Sequence, residues 1–387
     1  MKKIIGALLL VCIFVGGYLL IPSNYYLRQT IVHLYPKIDQ YPIFENRKVS
    51  AKDPQPWETA DVYNKLSINP AYLPQFKKHG TVAVLVIQDS ALVFEQYWED
   101  YSDQKRSNSF SMAKSIVSLA IGCAIDDGFI ANTDQAVSDF IPEFNSFNGK
   151  KLTIKHLLTM SAGVDFEESY VSPFSPTTQL YYGDNLKDVV YGMKMIEEPG
   201  IYFNYQSGVT QLLAFIVEKA TGESLSAYVS RRLWTPMHAE EDALWSLDHK
   251  GGSEKAYCCF NSNARDFARF GQLILNNGSW DGNQLVSASY IKEAITPDTL
   301  LIDKKYNEPN RHYGYQFWKL NFEGSEVVYM RGMLGQYVFV IPDKRAIVVR
   351  LGHKRGENYT SQHYPDDIDV WLKAASDLLN QKENKTF

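Results

Sequence analysis

The chain has 387 residues, 45% of them hydrophobic and 13% aromatic, enough to bury one large core or two lobes. Its net charge of −5 is spread along the chain with no dense basic run, which argues against nucleic acid as a partner. The four cysteines, Cys12, Cys123, Cys258 and Cys259, make neither a disulfide framework nor a C-x-x-C zinc pattern. They read as small apolar residues, buried where the chain folds.

The chain opens with two lysines and then carries no charge until Arg28. The apolar stretch from Ile4 to Ile21 is long enough to span a bilayer and longer than the apolar part of an ordinary secretory signal. Residues 1–22 are therefore expected to be a signal anchor, with the lysines cytoplasmic and the rest exported, periplasmic or extracellular. A cleaved signal peptide and a secreted product is the alternative. Residues 23–74, rich in proline and tyrosine with weak periodicity, read as a stalk, and residues 75–387 as the folded domain.

Within that domain, GTVAVLVIQDSALVFEQYWED predicts a hairpin turning at QDS. FSMAKSIVSLAIGCAIDDGFI predicts a helix that ends near DDG. Residues 151–230 read as mostly helical, clearest in LTIKHLLTM and GVTQLLAFIVEKATG, where Gly222 fits a C-terminal cap. NARDFARFGQLILNNGSW predicts a further amphipathic helix. Strands return from His312 in HYGYQFWKLN, EVVYMRGM, GQYVFVIP and RAIVVRLG, and DDIDVWLKAASDLLNQ predicts a closing helix. Strands first and last with helices between predict an α+β fold: one antiparallel sheet built from both chain ends, flanked by helices, with an inserted, mainly helical lobe.

Ser-x-x-Lys occurs three times, at Ser102/Lys105, Ser111/Lys114 and Ser289/Lys292, so the pattern alone is weak. Ser102 sits in a polar loop and Ser289 has no companion motif. Ser111 alone stands between a strand pair and a strongly apolar helix, where i and i+3 share a face and the helix dipole favours developing negative charge. A serine hydroxyl becomes a nucleophile when a neighbour takes its proton, and a lysine can do so if burial lowers its pKa. The plainer reading is a Ser N-cap with a surface Lys. PGIYFNYQSGVTQLLAF adds Tyr205 and Ser207 just before an apolar helix, and a phenol near cations can shuttle a proton. YMRGMLGQYVFVIPD offers a strand edge for an oxyanion, with Gly332 allowing close backbone approach.

SMAKS, LTIKHLLTMSAG, PGIYFNYQSG and MRGMLGQYVFVIPD, in this order, resemble the serine β-lactamase and penicillin-binding-protein superfamily. YCCFNSNARDFARFGQLILNNGSWDGNQLV and HYGYQFW bring the likeness closer to its class C-related branch of esterases and 6-aminohexanoate-dimer hydrolases. The resemblance spans roughly residues 75–380. It implies the two-lobed fold of that superfamily and acylation of Ser111 by a small amide or ester, with no cofactor. Lys114 would accept the serine proton, Tyr205 would act as the second acid/base, and Ser207 would help orient substrate. The N–H groups of Ser111 and Met333, next to Gly332, would bind the oxyanion.

One departure is clear: Met330, Arg331 and Gly332 stand where relatives carry Lys-Thr-Gly or His-x-Gly, which argues against efficient β-lactam hydrolysis. Arg331, one position along a strand, is expected to point away from substrate and to be structural. Tyr170 is a candidate for hydrogen-bonding the substrate, with Tyr181 and Tyr182 weaker ones. The eight histidines show no ligand spacing, so no metal is expected. The rival functions are a D,D-peptidase or penicillin-interacting enzyme, and a non-catalytic binding or scaffold protein on the same fold.

Overall fold

The computed structural model describes residues 2–385. An apolar helix, α1 (Lys2–Leu20), leads into a short helix, α2 (Tyr25–His33), and a strand, β1 (Asn46–Val49). The expected hairpin forms as β2 (Thr81–Gln88) and β3 (Ala91–Tyr97). Next come α3 (Met112–Asp126), α4 (Pro176–Tyr182) and α5 (Ser207–Thr221). Two short strands, β4 (Ala243–Ser246) and β5 (Phe260–Ser262), precede α6 (Ala264–Leu275). The chain closes with β6 (Trp318–Phe322), β7 (Ser325–Gly332), β8 (Gln336–Ile341), β9 (Ala346–Gly352) and helix α7 (Ile368–Lys385).

The main sheet has the order β6-β7-β8-β9-β2-β3, every pair antiparallel, so both chain ends build it as expected. All eight residues of β2 are buried, as a central strand covered on both faces requires. The alternation along β9 shows what covers it. Ile347 meets α6 at Gly271, where a Cβ would run into Ile347 and Val338. Arg350, on the other face, lies against Trp371 of α7, 4.6 Å from the ring centroid.

Arg350 is fully buried, and burial lowers its pKa to about 10. Its guanidinium donates to the carbonyls of His79 (2.7 Å), Gly335 (2.7 Å) and Lys354 (2.9 Å). It therefore fixes the turn after β7 to the start of β2. Arg350→Met strands those carbonyls without a donor. We expect a loss of about 3 kcal/mol, read as an earlier midpoint in urea unfolding.

Helix α3 is the core of the inserted lobe. Each residue from Met112 to Ala124 is buried, and the helix packs on α5. Helix α5 ends at Gly222, left-handed at φ 72, as its cap position requires.

Three expectations are corrected. The segment 23–74 is laid onto the domain: β1 pairs with β4, which pairs with β5, and Ile38 and Val49 are fully buried. Its weak periodicity hides a few well-buried anchors. The strand expected from His312 starts only at Trp318, because Gln316 takes a left-handed φ of 65 and its side chain donates to the carbonyls of Leu157 and Leu158. Cys258 and Cys259 are buried but bonded to each other, at a left-handed Cys259 (φ 68).

Candidate active site

The approach to Ser111 is strained. Phe110 holds a left-handed φ of 44, with its N–H donated to Asn108 Oδ1 at 2.8 Å. A non-glycine residue keeps such a conformation only where its surroundings fix it, and such points cluster at functional sites. Ser111 then occupies the cap position of α3, yet its hydroxyl makes no capping bond. Lys114 Nζ donates to Ser111 Oγ instead, at 3.1 Å. Lys114 is buried rather than solvated. Both halves of the plainer reading, a capping serine and a surface lysine, are therefore removed.

Lys114 Nζ also donates to Ser207 Oγ (3.1 Å) and to the carbonyl of Tyr257 (2.9 Å). Those three oxygens match the three donors of an ammonium. Burial nevertheless lowers the lysine's pKa to about 8, opposed by the negative charge of Glu168. A useful share of neutral amine is thus present at mildly alkaline pH, free to take a proton.

Tyr205 immediately precedes α5. Lys114 Nζ lies 5.1 Å from its ring centroid, and the ring leans on Trp318 at 5.6 Å. Burial pushes its pKa up, with Glu168 adding to the rise, while a hydrogen bond to Ser111 and the charges of Arg331 and Arg355 pull it back. A phenol so placed is protonated at neutral pH and faces the Ser111 hydroxyl, as a donor to a leaving group must.

Ser207 opens α5, and both its N–H and its hydroxyl donate to the Glu168 carboxylate, at 2.6 and 2.7 Å. Tyr170 donates its hydroxyl to the same carboxylate at 2.5 Å. Glu168 is the residue the sequence reading missed. It sits in a loop as one of two adjacent glutamates, with no spacing to mark it. The available signal was indirect: a buried lysine favours a nearby negative charge.

The end of β7 lies flush against the nucleophile's segment. A Cβ at Gly332 would fall inside the carbonyl oxygen of Ser109, so only glycine permits this approach. Arg331 corrects a further expectation. Met330 is buried, whereas Arg331 lines the cleft with its guanidinium 3.4 Å above the Trp318 ring. The two side chains do alternate, but the substrate side of the strand is the arginine's.

Two cavities meet at Ser111. One is apolar, about 330 Å³, and reaches Ser207, Tyr181 and Tyr182. The other is a polar cleft of about 1180 Å³ that carries Tyr205, Glu168, Arg331 and Gly332. Ser111, Tyr170 and Met333 line both, and Lys114 lies behind the serine. The other Ser-x-x-Lys pairs stay apart: Lys105 pairs with Asp100 at the surface, and Lys292 ends a short helix. His156 is packed, accepting the Thr153 N–H, and burial lowers its pKa to about 4. Among the described residues no group of His, Cys, Asp or Glu is arranged to hold a metal.

Residues 71–368 match the β-lactamase family model. The chain is 26% identical to a 6-aminohexanoate-dimer hydrolase from Paenarthrobacter ureafaciens over 285 residues, covering 70% of this chain and 72% of that one. Its fold is similar to that of a provisionally named 6-aminohexanoate-dimer hydrolase from Bacillus anthracis, with a TM-score of 0.75 and 22% identity over 93% of this chain and 95% of that one. It is also similar to a family VIII carboxylesterase, with a TM-score of 0.64 and 18% identity over 83% of this chain and 98% of that one. The chain is a serine hydrolase and belongs to the β-lactamase family.

Proposed function

We propose that this protein cleaves an amide or ester through an acyl-enzyme on Ser111. The observation that carries this is Lys114: a buried amine, in no ion pair among the described residues, hydrogen-bonded to the hydroxyl of Ser111. In the neutral state Lys114 takes the hydroxyl proton as Ser111 Oγ attacks the carbonyl carbon. The N–H groups of Ser111 and Met333 stabilise the oxyanion. The intermediate collapses with cleavage of the C–O or C–N bond, and Tyr205 gives its proton to the departing alcohol or amine. Lys114 returns the proton to Tyr205. Water then attacks the acyl-enzyme by the reverse relay, releasing the acid and restoring Ser111. No step calls for a cofactor.

The test is a fluorophosphonate probe read by intact mass. One adduct on the wild type, lost in Ser111→Ala, supports the assignment. A well-folded wild type that takes no adduct overturns it. Glu168 gives a finer check. Its charge raises the Lys114 pKa, so Glu168→Gln moves the rising limb of the kcat/KM pH profile to lower pH. An unmoved limb means that the limb does not report Lys114.

We further propose that α1 holds the enzyme at a membrane. The helix from Lys3 to Leu20 is long and apolar enough to cross one, with mean hydropathy 2.3 and, among the described residues, none of it buried. Fractionation of cells producing the full chain, with the intact mass of the product, separates an anchor from a cleaved signal.

A further inference from the structure

Building on the acyl-enzyme reading, we infer that the apolar cavity is an acyl-chain pocket and that the substrate is an amphiphilic ester or amide drawn from the lipid surface.

The polarity of the two cavities orients the substrate. Tyr205, which protonates the leaving group, lines only the polar cleft. The leaving group therefore departs into that cleft, which Arg331, Arg355 and Lys354 line together with Glu168, Asp303 and Asp366. The acyl part lies on the opposite side of the scissile bond, in the cavity walled by Phe110, Leu34, Val171, Tyr181 and Met333. A site that is apolar on one side of its nucleophile and polar, with charges of both signs, on the other fits a molecule with an aliphatic chain and a polar head.

The mouth of the pocket points to where that molecule comes from. Leu34 and Val171 both line the cavity and are 71% and 92% exposed. Tyr35 lines the cavity and is exposed too, and Ile31, Val32 and Phe174, close in the chain to lining residues, are further exposed apolar side chains. Exposed apolar side chains gathered at the rim of a pocket mouth mark an interaction surface. The rim is tied to the span: α2 follows α1 directly and packs on α4. The Tyr182 hydroxyl donates to the carbonyl of Leu34 at 2.8 Å. With α1 in a bilayer, the rim lies one short helix from its surface.

The test uses the full chain, in detergent and in vesicles, with p-nitrophenyl esters of acetate, butyrate, octanoate and dodecanoate. Each methylene that enters the pocket is expected to raise kcat/KM about threefold, so octanoate exceeds acetate by more than a hundredfold. Thr178→Trp, which fills the pocket wall, lowers the octanoate-to-acetate ratio at least tenfold. A flat series with Ser111-dependent turnover overturns the inference while leaving the hydrolase intact. Absence of turnover together with absence of the phosphonate adduct overturns the hydrolase reading itself. In the second arm, a vesicle-borne long-chain ester is cleaved faster by the wild-type full chain in the same vesicles than by an Ile31→Asp/Val32→Asp variant, whose exposed side chains lie outside the pocket lining, after normalising both to octanoate in detergent. Equal rates overturn the lipid source.

Discussion

Lys114→Ala is expected to lower kcat/KM about 10²-fold to 10⁴-fold, the usual contribution of a positioned acid or base, and to slow phosphonate labelling in parallel. The wild-type pH profile supplies the sign. The amine must be neutral to accept the Ser111 proton, and burial sets its pKa at about 8. Activity therefore rises about tenfold per pH unit below that value and levels off above it. The same shift acts on stability in the opposite sense to a salt bridge: the unfolded lysine holds its proton up to about 10.5 and the folded one only up to about 8, so stability rises with pH between those values and this group adds no pH dependence below about 8. A rising limb near pH 6, unchanged in Lys114→Ala, would assign the proton transfer to another group. Arginine at this position is no substitute, because its guanidinium stays charged.

Gly332→Ala is expected to lower kcat about 10²-fold to 10³-fold, comparable with the loss of one oxyanion donor. The added methyl would meet the Ser109 carbonyl and push the end of β7 away from the serine. Displacement of about 1 Å at a reacting centre is enough for a loss of this size. The strand's pairing with β8 continues from Val328 to Gly332, so the fold should survive. Near-wild-type unfolding with reduced kcat and a retained phosphonate adduct is the expected pattern. Unchanged kcat would mean that the oxyanion is held elsewhere.

Much of this was legible in the sequence, for identifiable reasons. The aliphatic run of β2, the hairpin turn at Asp89–Ser90 and the apolar face of α6 are local patterns, and they appear where local patterning puts them. Ser111, Lys114, Tyr205 and Ser207 stood in ordered motifs, and the structure brings them into one hydrogen-bonded group. What was illegible depends on tertiary contact. The burial of Lys114 comes from α5 and Tyr257 closing over it. Glu168 reaches Ser207 across 39 positions of chain. Alternation along β7 correctly separated Met330 from Arg331, but it could not say which face looks into the cleft. The leader from residue 23 to 74 looked loose because its buried anchors, Ile38 and Val49, are too sparse to make a period.

That docked leader sets the enzyme's reach. A free linker of the same length would let the domain wander about 40 Å from its anchor, sampling soluble molecules and opposing surfaces alike. Stitched to β4 through β1, the chain has almost no slack. With α1 in a bilayer, the serine is held at a set height and tilt over one leaflet, and its encounters follow lateral diffusion. For a substrate held in the same leaflet, turnover would then scale with its surface density rather than with its bulk concentration. A flexible insertion between α2 and β1 would restore dependence on bulk concentration without touching any group at the site.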